Sequence, residues 1–144
     1  MNLSILARAL RLPFLSASVL PFVAGSLFAR GDRNPAGFVL GLIAVGATHL
    51  SANLINDYAD SKSGADWKDR KYYGFFGGSK LIQEGVLKES FYLKTAVFFA
   101  VLACACVSGL AFLSKSIVPL VCFSGIIFLA WSYSPWRSDP SIYC

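Results

Sequence analysis

Three carboxylates and two carboxamides fall within fourteen residues: Asn53, Asn56, Asp57, Asp60 and Asp66. They follow directly on a strongly apolar run, and ionised carboxylates at a membrane boundary are costly unless something cationic compensates them. Carboxylates at i, i+3 repel one another when left alone. A hard divalent cation with oxygen ligands removes that repulsion, and Mg²⁺ commonly shares such a site with substrate phosphates. The chemistry this spacing suggests is a Mg²⁺ and diphosphate site, with Asp57, Asp60 and Asp66 as candidate metal ligands; the alternative is a helix cap and solvated loop start, in which Asp66 is simply a surface residue.

Helical geometry tightens the reading. At about 100° per residue, and with His49 at zero, Asn53 falls near 40°, Asn56 near −20°, Asp57 near 80° and Asp60 near 20°. All five fit one arc of roughly 100°, which a lipid-facing helix would not present, so the stripe is expected to face the bundle interior or a wet cavity. His49 shares the stripe, but no second histidine exists to complete a transition-metal site. An EF-hand fails because Lys62 takes the third loop position and Gly64 arrives one residue early. The run from Gly74 to Lys80 lacks the Gly-Lys-Ser/Thr of a Walker loop. Lys62, Lys68, Arg70, Lys71 and Lys80 lie near the carboxylates in sequence. They suit a diphosphate, or they reflect the positive-inside bias.

The elements that must position these groups are membrane helices. The chain has 144 residues, 56% apolar and only 15% charged, with a mean hydropathy of +0.58, far from a soluble composition. Apolar runs predict spans at about 12–29, 36–57, 91–113 and 117–133, with a polar catalytic loop at about 60–90. Pro21 is expected to kink the first span. The fold class expected is therefore all-α: a polytopic membrane protein with about four transmembrane helices in one domain, 1–144. The net charge of +5 does not indicate nucleic acid, because the basic residues lie between apolar runs and form no separate patch. Ten Lys and Arg residues fall in the N-terminal flank, the long loop and the C-terminal tail, against three in the other two turns. That asymmetry places both termini and the acidic loop on the cytoplasmic side. Cys104, Cys106 and Cys122 sit in apolar runs as small hydrophobes, and no C-x-x-C spacing occurs.

Asn56-Asp57-Tyr58-Ala59-Asp60 resembles the first aspartate-rich motif, N-D-x-x-D-x-x-x-D, of the UbiA superfamily of membrane prenyltransferases. Here Gly64 takes the position four after Asp60, and the third acid arrives at Asp66. This variant, followed by Gly77-Gly78-Ser79-Lys80 and by Gln83 and Gly85, looks like the branch that prenylates 1,4-dihydroxy-2-naphthoate in menaquinone biosynthesis. The opening Arg11-Leu12-Pro13 and closing Tyr133-Ser134-Pro135-Trp136-Arg137 are similar too, so the likeness covers about residues 8–137.

The resemblance implies part of a nine-helix bundle in a bacterial inner membrane. It implies Mg²⁺-dependent transfer of a polyprenyl group from an allylic diphosphate to an aromatic acceptor. Asp57, Asp60 and Asn56 would be catalytic. Asn53, Lys80, Arg70, Lys62, Tyr58 and Gln83 would bind substrate, and Tyr58, Tyr72 and Tyr73 could shield a carbocation with their ring faces. Lys80 stands where that branch often has Arg, and keeps the charge without the bidentate fork. The family's second aspartate-rich motif has no counterpart in the sequence, so the expectation is one wall of a two-walled site, from a truncated chain or fragment inactive alone. The alternative is an inactive remnant or a non-enzymatic four-helix membrane protein that binds a ligand or handles an ion.

Overall fold

The computed structural model describes residues 2–29, 34–64, 71–74 and 78–137, with side chains through 132. All regular structure among them is helical: α1 (Leu3–Ala9), a 3₁₀ turn (Leu12–Leu15), α2 (Ser16–Phe28), α3 (Pro35–Ser63), α4 (Glu89–Ser114) and α5 (Val118–Arg137). The all-α membrane class read from composition is the observed one.

α3 is the longest element, and its ends are set by local chemistry. The Asn34 side-chain oxygen accepts the Ala36 and Gly37 N–H groups at 3.0 and 3.3 Å, with Pro35 in the first turn. At the far end Gly64 adopts φ 81°, a left-handed cap that glycine reaches without strain. Twenty-nine residues rise about 44 Å, against about 30 Å of hydrocarbon. One end of the helix is therefore free to stand beyond the apolar layer. Apolarity alone ended this helix near residue 57. The structure carries it on to Ser63, because the polar residues of its last two turns find partners instead of fraying.

The core is the α3–α4 pair. Gly41, Ala44, Ala47 and Ser51 of α3 are buried, as are Ala96 and Ala103 of α4. Small residues bring two helix backbones close where hydrocarbon offers no hydrophobic drive. The Ser51 hydroxyl donates to the Ala96 carbonyl at 2.9 Å, and the Trp131 indole N–H of α5 reaches the Ser51 oxygen at 3.3 Å. Leu54, Ile55, Leu81, Tyr92, Ala9 and Leu10 close the packing at the acidic end.

Two arrangements differ from the sequence reading. α1 precedes the first span, and the segment Leu3–Ala9 is bent by 50° from Leu12–Phe28. The break lies at Arg11, which takes the left-handed conformation (φ 49°), while Pro21 lies inside a continuous α2. The stretch after Gly78 is also no solvated loop: Ser79, Lys80, Leu81 and Gln83 are buried against the bundle. By length and composition α3 and α4 can each cross a membrane, and α1 with α2 makes a third span if the bent pair is one crossing. Within the described side chains the apolar part of α5, Val118–Ser132, is shorter than a full span.

Candidate functional site

The second half of α3 turns Asp57 inward, where it is 3% exposed. A buried carboxylate needs compensation, and it comes from two other elements. Arg11, at the bend between α1 and the 3₁₀ turn, forms an ion pair with Asp57 Oδ1. The Ser79 backbone N–H donates to Asp57 Oδ2 at 3.1 Å. Ser79 is fixed in turn by its hydroxyl, 2.6 Å from the phenol oxygen of Tyr92 on α4. Three segments far apart in sequence thus converge on one carboxylate. Two of the joints take left-handed backbone at non-glycine residues, Arg11 (φ 49°) and Lys80 (φ 59°). Such backbone is costly and persists where surrounding contacts hold it.

Asp60 lies one turn further along, where its Oδ2 accepts from the Asn56 amide at 3.0 Å. Lys62 is half exposed and pairs with Glu89 at 2.5 Å; Glu89 also accepts from the Ser61 hydroxyl at 3.0 Å. Arg8 pairs with Glu84 at 2.5 Å, and its guanidinium sits over the Tyr72 ring, 3.8 Å from the centroid. Lys62 lies 5.8 Å from the Tyr58 ring and Lys71 5.5 Å from that of Tyr73. Each tyrosine expected to meet a cation therefore already has one from this chain beside it. Lys80 and Gln83 are buried in the segment that packs under α3. Asp66 and Arg70 lie outside the described residues.

A cavity of about 340 Å³ opens between the bend and the Ser79 segment, lined by Arg8, Arg11, Tyr72, Gly74, Gly78 and Ser79 among others. Arg8 Nε and Arg11 Nε are buried without a hydrogen-bond partner, as are Asn53 Nδ2 and Gln83 Nε2. Buried donors without a partner are unusual for a finished interior, and the two arginine Nε groups, whose side chains line this cavity, suit an anion with several acceptor oxygens.

The sequence reading gave no site role to Arg8, Arg11, Ser79 or Tyr92: it counted the arginines as a basic flank and quoted Arg11 and Ser79 only within the stretches that carry the resemblance. One signal was available: two arginines at i, i+3 in otherwise apolar surroundings need carboxylate partners, and Asp57 and Glu84 are those partners.

The donor set suits Mg²⁺ in kind, since Asp57, Asp60, Asn53 and Asn56 all offer hard oxygen ligands. Among the described residues no three His, Cys, Asp or Glu side chains gather closely enough to share a metal, and both Asp57 oxygens are engaged. Asp60 and Asn56 are likewise engaged with each other, so these side chains would have to exchange present partners to hold an ion.

Fold and site together define a helical membrane protein with an acidic and basic polar centre at one end of its longest span. The chain is similar to UbiA prenyltransferase domain-containing protein 1 of Xenopus tropicalis, 31% identical over 110 residues, which is 74% of this chain and 30% of the frog protein. It is likewise similar to the Gallus gallus protein of that name, 30% identical over 124 residues, covering 82% of this chain and 35% of the relative. The chain spans about a third of the length of these curated relatives. No family model and no solved structure matches it. As distant homologues, the two relatives support a place in the UbiA superfamily.

Proposed function

We propose that this chain forms the diphosphate-binding wall of a membrane prenyltransferase. The reaction is transfer of a polyprenyl group from an allylic diphosphate to an aromatic acceptor. The observation that carries it is the Asp57–Arg11–Ser79 cluster, with its unpaired arginine donors, at the end of a membrane-length helix. The names of the two relatives agree with it.

In this reading Arg8 and Arg11 hold the non-bridging diphosphate oxygens through guanidinium N–H groups, and Lys80 adds a point charge beside Ser79. Asp57, Asp60 and Asn56, with Asn53 or Asp66 in support, would hold Mg²⁺, which would supply positive charge to the leaving diphosphate. Arg11 exchanges Asp57 for the diphosphate, so the site changes partners without leaving a charge uncompensated. The allylic C–O bond breaks with its electron pair on the diphosphate, the acceptor ring attacks the cation, and the ring then loses a proton. Tyr58, Tyr72 and Tyr73 shield the cation, each once its neighbouring Arg or Lys has moved onto the anion. Gln83 orients the substrate through its unpaired amide. The Asp66 variant of the motif favours 1,4-dihydroxy-2-naphthoate as acceptor, in menaquinone biosynthesis, with the site facing the cytoplasm.

The test is binding of farnesyl diphosphate to the purified chain in nanodiscs, with Mg²⁺ and with EDTA. Binding that needs Mg²⁺ and is lost in Asp57→Asn and Asp60→Asn supports the proposal. Equal binding in EDTA sinks it. A second reading, a non-enzymatic helical module, draws on the same ion pair: Arg11 already neutralises Asp57, as a purely structural lock would. It predicts no diphosphate binding under either condition.

A further inference from the structure

Arg8 lines the cavity of about 340 Å³ together with Arg11, yet its guanidinium is only partly committed. Its face rests on the Tyr72 ring, 3.8 Å from the centroid. One terminal nitrogen, Nη2, donates to Glu84 Oε1 at 2.5 Å, and Nε is buried without a partner. A single bond to one carboxylate oxygen leaves the Nε edge of the guanidinium unused. Such an edge, with two parallel N–H groups, is what a phosphoryl group engages most strongly.

The two carboxylates that hold the arginines differ in what they lose on release. Asp57 is 3% exposed, so without Arg11 it needs another cation. The Glu84 side chain is 33% exposed, so water solvates its carboxylate as soon as Arg8 turns away. An ion pair open to solvent contributes little net stability. The backbone need not move either. The Glu84 N–H donates to the Lys80 carbonyl at 2.9 Å, and the Val86 and Leu87 N–H groups donate to the Leu81 carbonyl at 2.9 and 3.1 Å. The turn therefore keeps its shape while the Glu84 side chain changes rotamer.

We propose that Glu84 is a built-in competitor for the anion. It occupies Arg8 while the cavity is empty, gives way to a diphosphate, and takes Arg8 back when that anion leaves. The inference rests on the reading of this cavity as a diphosphate site. Glu84 lowers the affinity of that site and so favours release of the inorganic diphosphate that prenyl transfer generates.

The test is calorimetric titration of inorganic diphosphate into the whole chain in phosphatidylcholine nanodiscs at fixed Mg²⁺. Glu84→Gln keeps the shape of the side chain and removes its charge. It should bind diphosphate about fivefold more tightly than the parent chain, the upper end of what an exposed pair supplies. Glu84→Ala should gain at least as much, and it carries the test should the first variant fail to fold. Asp32→Asn makes the same change of charge ahead of the first turn of α3 and should leave the affinity as it is. Equal affinity of the parent and the Glu84 variants overturns the competition and leaves the diphosphate site standing. An equal gain in Asp32→Asn also overturns it, because net charge alone would then explain the effect. Absence of binding in every chain overturns both the inference and the site on which it rests.

Discussion

Removing Arg11 tests the centre of the site directly. Asp57 is 3% exposed, whereas the Arg11 side chain is 18% exposed, so the carboxylate is the partner that loses more when the pair is broken. Truncating one member of a buried pair costs about 3–5 kcal/mol, because the other charge remains uncompensated. Arg11→Ala leaves Asp57 held by the Ser79 N–H and belongs at the upper end of that range. Asp57→Ala strands an arginine that water can still reach and belongs at the lower end. The double variant removes both charges and should cost little more than the milder single one. That gives a coupling energy of about 4–5 kcal/mol, close to the larger single effect and above the roughly 0.5–3 kcal/mol usual for neighbouring residues. The assay is reversible unfolding in mixed micelles, followed by tryptophan fluorescence, since Trp131 packs against the core beneath the site. Additive single effects, with coupling below about 0.5 kcal/mol, would show that the pair contributes nothing as a pair and would refute the account of the site.

Two further expectations concern the scaffold. Tyr92→Phe removes the phenol that pairs with the buried Ser79 hydroxyl and should cost about 1–3 kcal/mol in the same assay; no change would mean that Ser79 is held by its backbone alone. A Cβ at Gly41 would lie 2.6 Å from Cζ and 2.8 Å from Cε2 of the Phe22 ring. Gly41→Ala should therefore destabilise by about 1–3 kcal/mol through overpacking, and Phe22→Leu in the same chain should recover much of that loss. Failure of the rescue would place the strain elsewhere in the α2–α3 contact.

The interior stripe on α3 was legible because a helix has a fixed period: side chains at 49, 53, 56, 57 and 60 share an arc whatever surrounds them. Of these five the structure buries Asp57 alone and leaves the others half-buried. Which cation meets Asp57 does not follow from the stripe, because Arg11 precedes it by 46 positions and its approach depends on a left-handed residue at a helix bend. Hydropathy likewise separated the spans from the segment after Gly78 but marked that segment as solvated. It registers how polar Ser79, Lys80 and Gln83 are, and is blind to the packing of Leu81 among Leu54, Ile55 and Tyr92.

The sequence by itself determined the all-helical membrane class and set His49, Asn53, Asn56, Asp57 and Asp60 on one face of α3, both of which follow from composition and local periodicity. Only the tertiary structure decided that α1 and the Ser79 segment fold back onto Asp57, and that His49 lines a cavity between α2, α3, α4 and α5. Both depend on long-range packing and on backbone conformations at single residues, which no local pattern encodes.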